Sequence, residues 1–394
     1  MPELAKSLSG IRNHSLEALK PSGIRMFNNR ISGIPGLLKM TLGEPDFNTP
    51  EHVKMAGIKA IVNNDSHYSA QPGTPALRKG IAHYLKVSQG LNYDWHKEIV
   101  ATTGATEAIF ATLTALLNPG DEVVIPTPSY ALYFPITKLL GAKVIPVDVS
   151  DNDFHLTAQK LESVIKQEKG KVKALILNYP GNPTGAEYPE DILKSLAKVI
   201  KSEGIFCITD EIYCELIYGA KHYSMAKYAP NNTILMNGVS KSHAMTGWRI
   251  GYAAGPASIM KMIAQVHGYM VTSLSNPAQA AAAEALLHGL TDPASFRKVY
   301  KKRRDYIVKA LNDMGLKTLM PNGAFYAFAQ IPKSYGKDDE QFALDLAHKA
   351  KVGVIPGHVF GPGGEGHIRL SYATSMPNIK EAMRRISKFL KTLK

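Results

Sequence analysis

Short apolar runs alternate with amphipathic stretches through the middle of this sequence. The runs are rich in valine and isoleucine, and they comprise DEVVIPT, AKVIPVDV, VKALILNYP, IFCITDEIY, TILMNGVSK and RIGYAAG. Stretches with helical periodicity, such as PEDILKSLAKVIKSEG, lie between them. Nearly continuous apolar runs are typical of strands buried on both faces, and their alternation with helices is typical of a parallel sheet. The pattern predicts an α/β fold with a mostly parallel sheet sandwiched by helices in a large domain.

The pattern changes towards the C-terminus. The helical stretch SFRKVYKKRRDYIVKALNDM is followed by a hairpin-like stretch, LKTLMPNGAFYAFAQI, and then by helix, strand and helix patterns. This order predicts a smaller α+β domain. We therefore predict an N-terminal segment over residues 1–45 that packs with the small domain, a large domain over 46–285 and a small C-terminal domain over 286–394.

Charge adds little to this picture. The chain of 394 residues has a formal net charge of +13 at pH 7, and its densest basic cluster, residues 301–304, lies in the helical stretch just described. A nucleic-acid binder gathers its cations into a stripe with interleaved aromatic residues, and we expect this cluster to be a solvated helix face instead. No apolar run approaches the ~18 residues that a membrane-spanning helix needs. We predict neither a nucleic-acid partner nor a membrane partner.

The two cysteines, Cys207 and Cys214, bear on compartment and metal content. Neither forms a CxxC or a Cys/His spacing, so we predict no metal site. Cys207 lies in an apolar run and is expected in a buried strand. Low cysteine content, together with an N-terminus that lacks the apolar core of a secretory signal, indicates a cytoplasmic protein.

Three common enzyme motifs are absent from the sequence. No GxGxxG follows a strand, no GxxxxGK[ST] is present, and no GxSxG is present. A nicotinamide dehydrogenase, a P-loop nucleotide enzyme and a serine hydrolase of the commonest type therefore have little support.

One candidate anion site follows the strand-like run EIVATT. Gly104, Ala105 and Thr106 open the apolar helix that comes next. Free N–H groups at a helix N-terminus attract anions, and glycine lets an anion approach the backbone. The alternative interpretation is an ordinary strand-to-helix turn with Thr106 as its cap.

Further polar residues follow other predicted strands. Asp210 and Tyr213 end the run IFCITDEIY, and Ser240, Lys241 and Arg249 follow the run TILMNGVS. A partly desolvated lysine becomes a nucleophile, and the guanidinium fork of arginine matches phosphate. The alternatives are a structural aspartate and two solvated cations in a surface loop.

Two residues complete the inventory. Asn182 lies in the turn-dense octet NYPGNPTG, and Arg369 lies in the strand-like stretch GHIRLSYA. Each alone is explained by turn chemistry or by an edge strand. Together with the preceding residues they supply a phosphate site, an acid, a nucleophilic amine and a carboxylate clamp. This combination matches a cofactor that carries an aldehyde, a pyridine nitrogen and a phosphate.

The chain resembles the class I aminotransferases, which are fold-type-I enzymes that depend on pyridoxal 5'-phosphate (PLP). The resemblance covers nearly the whole chain and is carried, in order, by TLGEPDFNTP, HYSAQPG, NPTG, DEIY, SKSHAMTGWRIG and IRLSYA. It implies a PLP-dependent aminotransferase that forms a homodimer with shared active sites. It also implies ping-pong transfer of an amino group from an amino acid to a 2-oxo acid.

The resemblance further implies a role for each matching residue. Lys241 forms a Schiff base with PLP and later moves the α-proton, Asp210 pairs with the pyridine nitrogen, and Arg369 binds the substrate α-carboxylate. The other implied contacts are Tyr213 and Asn182 on the phenolic oxygen, Tyr130 stacked on the ring, Gly104, Ala105, Thr106, Ser240 and Arg249 at the phosphate, Tyr68 at the phosphate of the neighbouring subunit, and Asn182 with the Gly43 backbone at the substrate carboxylate.

The substrate is less clearly indicated. Aspartate-specific relatives carry an arginine four residues before a Ser-Asn-Pro, and Val271 stands at that position here. Together with SGIRMF at residues 22–27, the motifs resemble aromatic amino-acid aminotransferases and N-acetyl-diaminopimelate aminotransferases. We predict an aromatic donor, with 2-oxoglutarate as acceptor. The alternatives are N-acetyl-diaminopimelate, a broad or aspartate specificity, and a PLP carbon–sulfur lyase.

Overall fold

The computed structural model describes residues 2–8, 10–11, 13–17, 19 and 21–393, which form one large sheet, two smaller sheets and the helices around them. The strands are β1 Leu38–Lys39, β2 Ile99–Thr102, β3 Glu122–Thr127, β4 Lys143–Asp148, β5 Val172–Asn178, β6 Phe206–Asp210, β7 Thr233–Gly238, β8 Gly251–Ala254, β9 Tyr326–Gln330, β10 Val352–Gly353, β11 Ile355–Pro356 and β12 His367–Ser371. The helices are α1 His14–Glu17, α2 Gly23–Ile31, α3 Glu51–Val62, α4 Pro75–Gln89, α5 Gly104–Leu116, α6 Tyr133–Leu139, α7 Ala158–Gln167, α8 Glu190–Glu203, α9 Val239–Ser242, α10 Ala257–Val271, α11 Asn276–His288, α12 Asp292–Asp313, α13 Asp339–Asp345 and α14 Met376–Lys391.

The large sheet has seven strands in the order β2-β8-β7-β6-β5-β3-β4. Strands β3 to β7 run parallel to one another, and β8 runs antiparallel to both β7 and β2. Every residue of β3 and β7 is buried, as expected for strands covered by helices on both faces. Each of the six apolar runs contains one of these strands, and the predicted mostly parallel α/β sheet is confirmed.

The carboxyl ends of the central strands bring distant residues together. In the register of the sheet, Asn178 at the end of β5 lies beside Asp210 at the end of β6, and Asp210 lies beside Met236 of β7. Strand β7 ends at Gly238, and α9 follows at once and carries Lys241. Ligands of open parallel sheets bind at this edge.

A second core lies away from the large sheet. Strands β11, β12 and β9 form an antiparallel sheet, and β1 pairs in parallel with β10. Phe27 and Ile31 of α2 are buried in the same cluster as Phe342 of α13 and Ile386 of α14. Helix α2 is therefore held by the C-terminal part of the chain.

The domain limits read from the sequence pattern, 1–45, 46–285 and 286–394, remain predictions. Their outermost residues, 1 and 394, lie outside the described residues.

The hairpin predicted over residues 316–331 forms only in part. Thr318 makes a single antiparallel bridge to Ala329, whereas β9 pairs along its length with β12. The segment between them contains Pro321, which has no N–H to donate to a ladder. The first arm of the expected hairpin is thus mostly irregular.

The prediction of a solvated face over residues 301–304 is wrong for two of the four side chains. Arg303 and Arg304 are only 7% and 6% exposed. Arg303 donates to Asp46 at 2.7 Å, and Arg304 donates to the carbonyl oxygens of Tyr218 and Pro321 at 3.2 and 3.0 Å. The long aliphatic parts of both side chains are packed inside the structure, and their length lets the guanidinium groups reach these partners.

Other expectations concern cysteines, metals and membranes. Cys207 and Cys214 are buried free thiols. Within the described ranges, no three or more His, Cys, Asp or Glu side chains gather in a way that could hold a metal ion. In the same part of the chain, no helix has both the length and the apolar character that a bilayer crossing requires.

Candidate active site

A cavity of about 360 Å³ lies at the carboxyl ends of β5, β6 and β7. The predicted site residues that line it are Gly43, Ala105, Thr106, Tyr130, Asn182, Asp210, Tyr213, Ser240, Lys241, Arg249 and Arg369. Two predicted residues do not line it. Gly104 is packed against the guanidinium group of Arg249. Tyr68, with 86% of its surface exposed, borders a separate surface depression beside residues 273–277.

Lys241 projects from α9 into this cavity. Its Nζ donates to the carbonyl oxygen of Gly43 at 2.6 Å. Burial lowers the pKa of Lys241 to about 8; Glu44 opposes this shift, and the positive charge of Arg249 adds to it. A larger share of the amine is therefore neutral, and so nucleophilic, near neutral pH than for a solvated lysine.

Asp210 lies on the floor of the cavity, at the end of β6. Burial raises the pKa of its carboxyl group to about 6, although two hydrogen bonds oppose the shift. These come from the Tyr133 hydroxyl at 2.7 Å and the Ile212 N–H at 3.2 Å. The positive charge of Lys241 also opposes the shift, but among the described residues no cation forms an ion pair with Asp210.

Tyr133 is a site residue that the motifs did not reveal. It begins α6, three residues after Tyr130, and the two rings meet edge to face with their centroids 5.6 Å apart. The N–H of Tyr133 donates to the carbonyl oxygen of Tyr130 at 3.3 Å, so residues 130–133 form a turn that brings the two side chains close together. That spacing within PSYALY is the signal that could have found it.

Gly104 makes room for Arg249 at the N-terminus of α5. The glycine has φ of +75°, and a Cβ there would lie 2.4 Å from Nη2 of Arg249. The guanidinium also donates to the carbonyl oxygen of Thr246 at 2.9 Å. The N–H groups at the start of α5 and the adjacent arginine form an electropositive end of the cavity, suited to a phosphate.

A buried pair of side chains, Glu107 and His267, supports the start of α5. Glu107 accepts a hydrogen bond from the N–H of Thr103 and another, at 2.7 Å, from Nδ1 of His267. Burial alone would raise the pKa of Glu107, but the bonds from His267 and Thr103 outweigh it and lower that pKa. The pair holds the first turn of the helix in place beneath the cavity.

Arg369 is buried in the opposite wall. Its Nη1 donates to Oδ1 of Asn182 and its Nη2 to the carbonyl oxygen of Thr41, both at 2.8 Å. Its charged group lies 4.5 Å from the ring centroid of Tyr326, and its Nε has no hydrogen-bond partner among the described residues. Such a buried fork, with donor capacity left over, suits a carboxylate.

Two phenols, those of Tyr213 and Tyr326, line the same cavity. The hydroxyl groups of Tyr213 and Tyr326 lie 2.8 Å apart. Burial raises the pKa of Tyr213 well above its ordinary value, so its phenol stays protonated and remains available as a hydrogen-bond donor. Tyr326 and Thr41 were missing from the predicted site. Tyr326 lies in none of the motifs, and Thr41, which opens TLGEPDFNTP, contacts Arg369 through a backbone carbonyl that no side chain signals.

Residues 35–386 match the family described as aminotransferase class I and II. The chain belongs to this family. This aminotransferase is 43% identical over 378 residues to a probable N-acetyl-LL-diaminopimelate aminotransferase of Bacillus subtilis strain 168, a match that covers 96% of this chain and 95% of that protein.

Solved structures that match this chain are also those of aminotransferases. An aromatic aminotransferase from Pyrococcus horikoshii OT3 matches with a TM-score of 0.88 at 36% identity, covering 93% of this chain and 99% of that one. An aspartate aminotransferase from Thermus thermophilus, solved with maleate, matches with a TM-score of 0.90 at 35% identity, covering 96% and 99%. The predicted fold type I is thereby confirmed.

Aminotransferases of this class use PLP, and they act on amino acids and 2-oxo acids. The residues that line the cavity of this aminotransferase fit that cofactor. Gly104 admits Arg249 beside the first turn of α5, no cation in the described part of the chain forms an ion pair with Asp210, and Lys241 lines the same cavity.

Proposed function

We propose that this aminotransferase moves the amino group of an aromatic L-amino acid to 2-oxoglutarate by a ping-pong mechanism. The observation that carries the assignment of the site is a single cavity lined by Lys241, Asp210, Arg249 and Arg369. The aromatic donor is supported by the similarity to the aromatic enzyme from Pyrococcus horikoshii and by the apolar Val271. An apolar side chain at this position cannot itself pair with a carboxylate, so it gives no support to a strict specificity for aspartate.

We assign the predicted roles to the residues of the cavity. With PLP bound, Asp210 would pair with the ring nitrogen, Tyr130 would stack on the ring, and Tyr213 and Asn182 would hydrogen-bond the phenolic oxygen. The proposed phosphate site comprises the backbone of Gly104, Ala105 and Thr106 together with Ser240 and Arg249.

We further propose that two copies of the chain associate and share their sites. Tyr68 is 86% exposed, and α3 exposes Ile58, Ile61 and Val62 by 48%, 64% and 70%. Contiguous exposed apolar side chains of this kind mark association surfaces. In the dimer, Tyr68 of one copy would reach the phosphate bound by the other.

The chemistry assigned to Lys241 follows from its position and pKa. When bound, PLP supplies an electron-accepting pyridine ring that stabilises the negative charge left when an α-proton departs. Lys241 Nζ accepts that proton and returns it, because its lowered pKa lets it exchange protons near neutral pH. With PLP bound, the Asp210 carboxylate would stabilise a proton on the ring nitrogen by pairing with it.

Arg369 orients the substrate in this scheme. It binds the α-carboxylate through its fork, assisted by Asn182 and the Gly43 backbone. Because Arg369 is held by Asn182 and Thr41, the α-carbon is presented in a fixed position to Lys241. Fixed orientation of this kind supplies much of the rate of a reaction at one bond.

A second donor is favoured by a specific observation. The relative from Bacillus subtilis, 43% identical, is named a probable N-acetyl-LL-diaminopimelate aminotransferase. That substrate also carries an α-amino acid group for Arg369, and it differs in its side chain.

A panel of donors tests the proposed function. Phe, Tyr, Asp and N-acetyl-LL-diaminopimelate would each be assayed with 2-oxoglutarate, and we expect the highest kcat/KM for Phe and Tyr. Absence of turnover with both aromatic donors would contradict the proposal. The control omits the acceptor, because sustained keto-acid formation without it would reveal a lyase.

The pKa of Lys241 predicts how the apoprotein takes up PLP. The neutral amine is the nucleophile, so the rate of incorporation should rise with pH through about 8. Between pH 7 and pH 9 the neutral fraction of such a group rises about tenfold. Stopped-flow absorbance would follow the uptake. Nα-acetyl-lysine is the control, since its amine has an ordinary pKa and its rate should still be rising at pH 10. A rate for the protein that is flat between pH 7 and pH 9 would contradict the prediction.

A further inference from the structure

A buried histidine lies between two carboxylates next to the strand end that carries Asp210, and the proposed reaction does not use it. Nδ1 of His222 lies 3.0 Å from Oε1 of Glu187, and its Nε2 lies 2.9 Å from Oε2 of Glu211. The three side chains are 8%, 1% and 0% exposed, and none of them lines the cavity. We call these three residues the His222 cluster.

The contacts of His222 indicate a positively charged ring. Ionised carboxylates accept hydrogen bonds and cannot donate them, so an imidazole that bridges two of them needs a proton on each nitrogen. Burial would lower the pKa of His222, but Glu187 and Glu211 outweigh it and raise that pKa to about 10. The cluster therefore holds one positive charge between two buried carboxylates at neutral pH.

The two carboxylates belong to the two chain segments that carry residues of the cavity. Glu211 directly follows Asp210 at the end of β6, and Glu187 follows Asn182 in the loop between β5 and α8. The N–H of Gly181 closes that loop by donating to the carbonyl oxygen next to Glu187 at 2.9 Å. His222 thus joins the Asn182 loop to the strand end that carries Asp210.

The same two segments also meet at the cavity itself. The carbonyl oxygen of Asp210 accepts from Nδ2 of Asn178 at 3.0 Å, and Oδ1 of Asn178 accepts from the N–H of Asn182 at 2.9 Å. Besides burial, the negative charge of Glu211 raises the pKa of Asp210. A change in the His222 cluster therefore reaches Asp210 both through the chain and through its charge.

The two carboxylates depend on His222 to different degrees. Glu211 also accepts from the hydroxyl groups of Ser224 at 2.7 Å and Tyr179 at 3.4 Å. Oε2 of Glu187 has no hydrogen-bond partner among the described residues. Loss of the histidine would leave Glu187 as a buried carboxylate without a cation, which is strongly unfavourable.

We propose that His222 is a positioning residue of the active site, which holds the Asn182 loop against the Asp210 strand end and balances the charge beside Asp210. The inference rests on the proposed function, in which Asp210 and Asn182 contact the cofactor. His222 touches neither of them and acts through Glu211 and Glu187.

The test follows the visible absorption band of the holoenzyme, because the pH midpoint of that band depends on the charges near the cofactor. We expect His222→Gln to raise the midpoint by roughly 0.3 to 1 pH unit, since the unbalanced charge of Glu211 favours a protonated cofactor. Glu187→Gln keeps a hydrogen-bond acceptor for His222 but removes a negative charge, so it should lower the midpoint. A packing role alone predicts no such opposition of sign.

A double variant with both His222→Gln and Glu187→Gln has the same net charge as the wild type. We expect its midpoint to return towards the wild-type value. We also expect His222→Gln to lower kcat by about 10- to 100-fold, as for misplaced active-site groups, and the double variant to recover part of that loss. Losses from packing alone would add in the double variant, and that result would overturn the inference.

His52→Gln is the matched control. His52 also lies between two carboxylates, those of Glu284 at 3.0 Å and Asp292 at 2.9 Å. None of these three residues adjoins, along the chain, a residue that lines the cavity. The substitution should leave the midpoint and kcat unchanged, and a shift equal to that of His222→Gln would overturn the inference.

The outcomes separate this inference from the proposed function. Shifts of the same sign in the two single variants, or no shift in either, would overturn the role of His222 and leave the proposed aminotransferase standing. If His222→Gln does not fold, Glu187→Gln decides, because an unchanged midpoint in that variant would overturn the inference and a lowered one would support it. Failure of the wild type to use aromatic donors would overturn the proposed donor, and the absorption band would still test His222.

Discussion

Replacement of Lys241 by alanine is expected to lower kcat by about 10⁴-fold, the upper end of what one positioned acid–base group contributes. The variant lacks the only amine that lines the cavity in the described part of the chain. It therefore loses both the covalent attachment of the cofactor and the group that moves the α-proton. Keto-acid formation from phenylalanine and 2-oxoglutarate would measure the loss.

Absorption spectroscopy gives a second readout of the same variant. Lys241→Ala should bind PLP without the visible band, and its pH dependence, that the covalent link to a lysine produces. Lys261→Ala, on the exposed face of α10, is the control and should keep both the band and the rate. Transamination by Lys241→Ala at the wild-type rate would show that another group acts as the base.

Replacement of Arg369 by leucine is expected to lower kcat/KM by about 10²- to 10³-fold, the range for truncating one member of a buried charge pair. The loss should be similar for aromatic, monocarboxylic and dicarboxylic substrates, because all of them carry an α-carboxylate. Steady-state kinetics with phenylalanine, pyruvate and 2-oxoglutarate would measure it.

Folding must be checked for this variant, because Arg369 also satisfies buried groups. Its loss leaves Oδ1 of Asn182 and the carbonyl oxygen of Thr41 without their partner, at about 1–3 kcal/mol each. Arg369→Lys keeps the charge but not the fork and should recover only part of the activity. Arg384→Gln, at an exposed pair with Glu381, is the surface control. A leucine variant that is folded and fully active would contradict the assigned role.

Much of the fold could be predicted from the sequence because its signal is local. Apolar runs such as VKALILNYP and IFCITDEIY became β5 and β6, since a strand buried on both faces needs apolar residues throughout. The hairpin predicted over residues 316–331 formed only in part, because β9 pairs along its length with β12. The local sequence pattern does not specify that pairing. The burial of Arg303 and Arg304 was missed for the same reason, since their partners lie far away in the sequence.

The candidate site shows the same division. Asp210 and Lys241 could be placed together from sequence alone, because both follow strands of one parallel sheet and such strand ends converge. Tyr133 and Tyr326 could not, because the hydrogen bonds to Asp210 and Tyr213 depend on how α6 and β9 pack against the large sheet.

The sequence by itself determined the sheet, the family and the residues suited to PLP, because periodicity and strand-end motifs are written over a few consecutive positions. Only the tertiary structure decided which side chains complete the cavity. The pKa of the Lys241 amine is lowered by burial, and burial is a property of the packed chain. Helix α2 borders the same cavity because Phe27 and Ile31 anchor it in a core built largely from the C-terminal part of the chain.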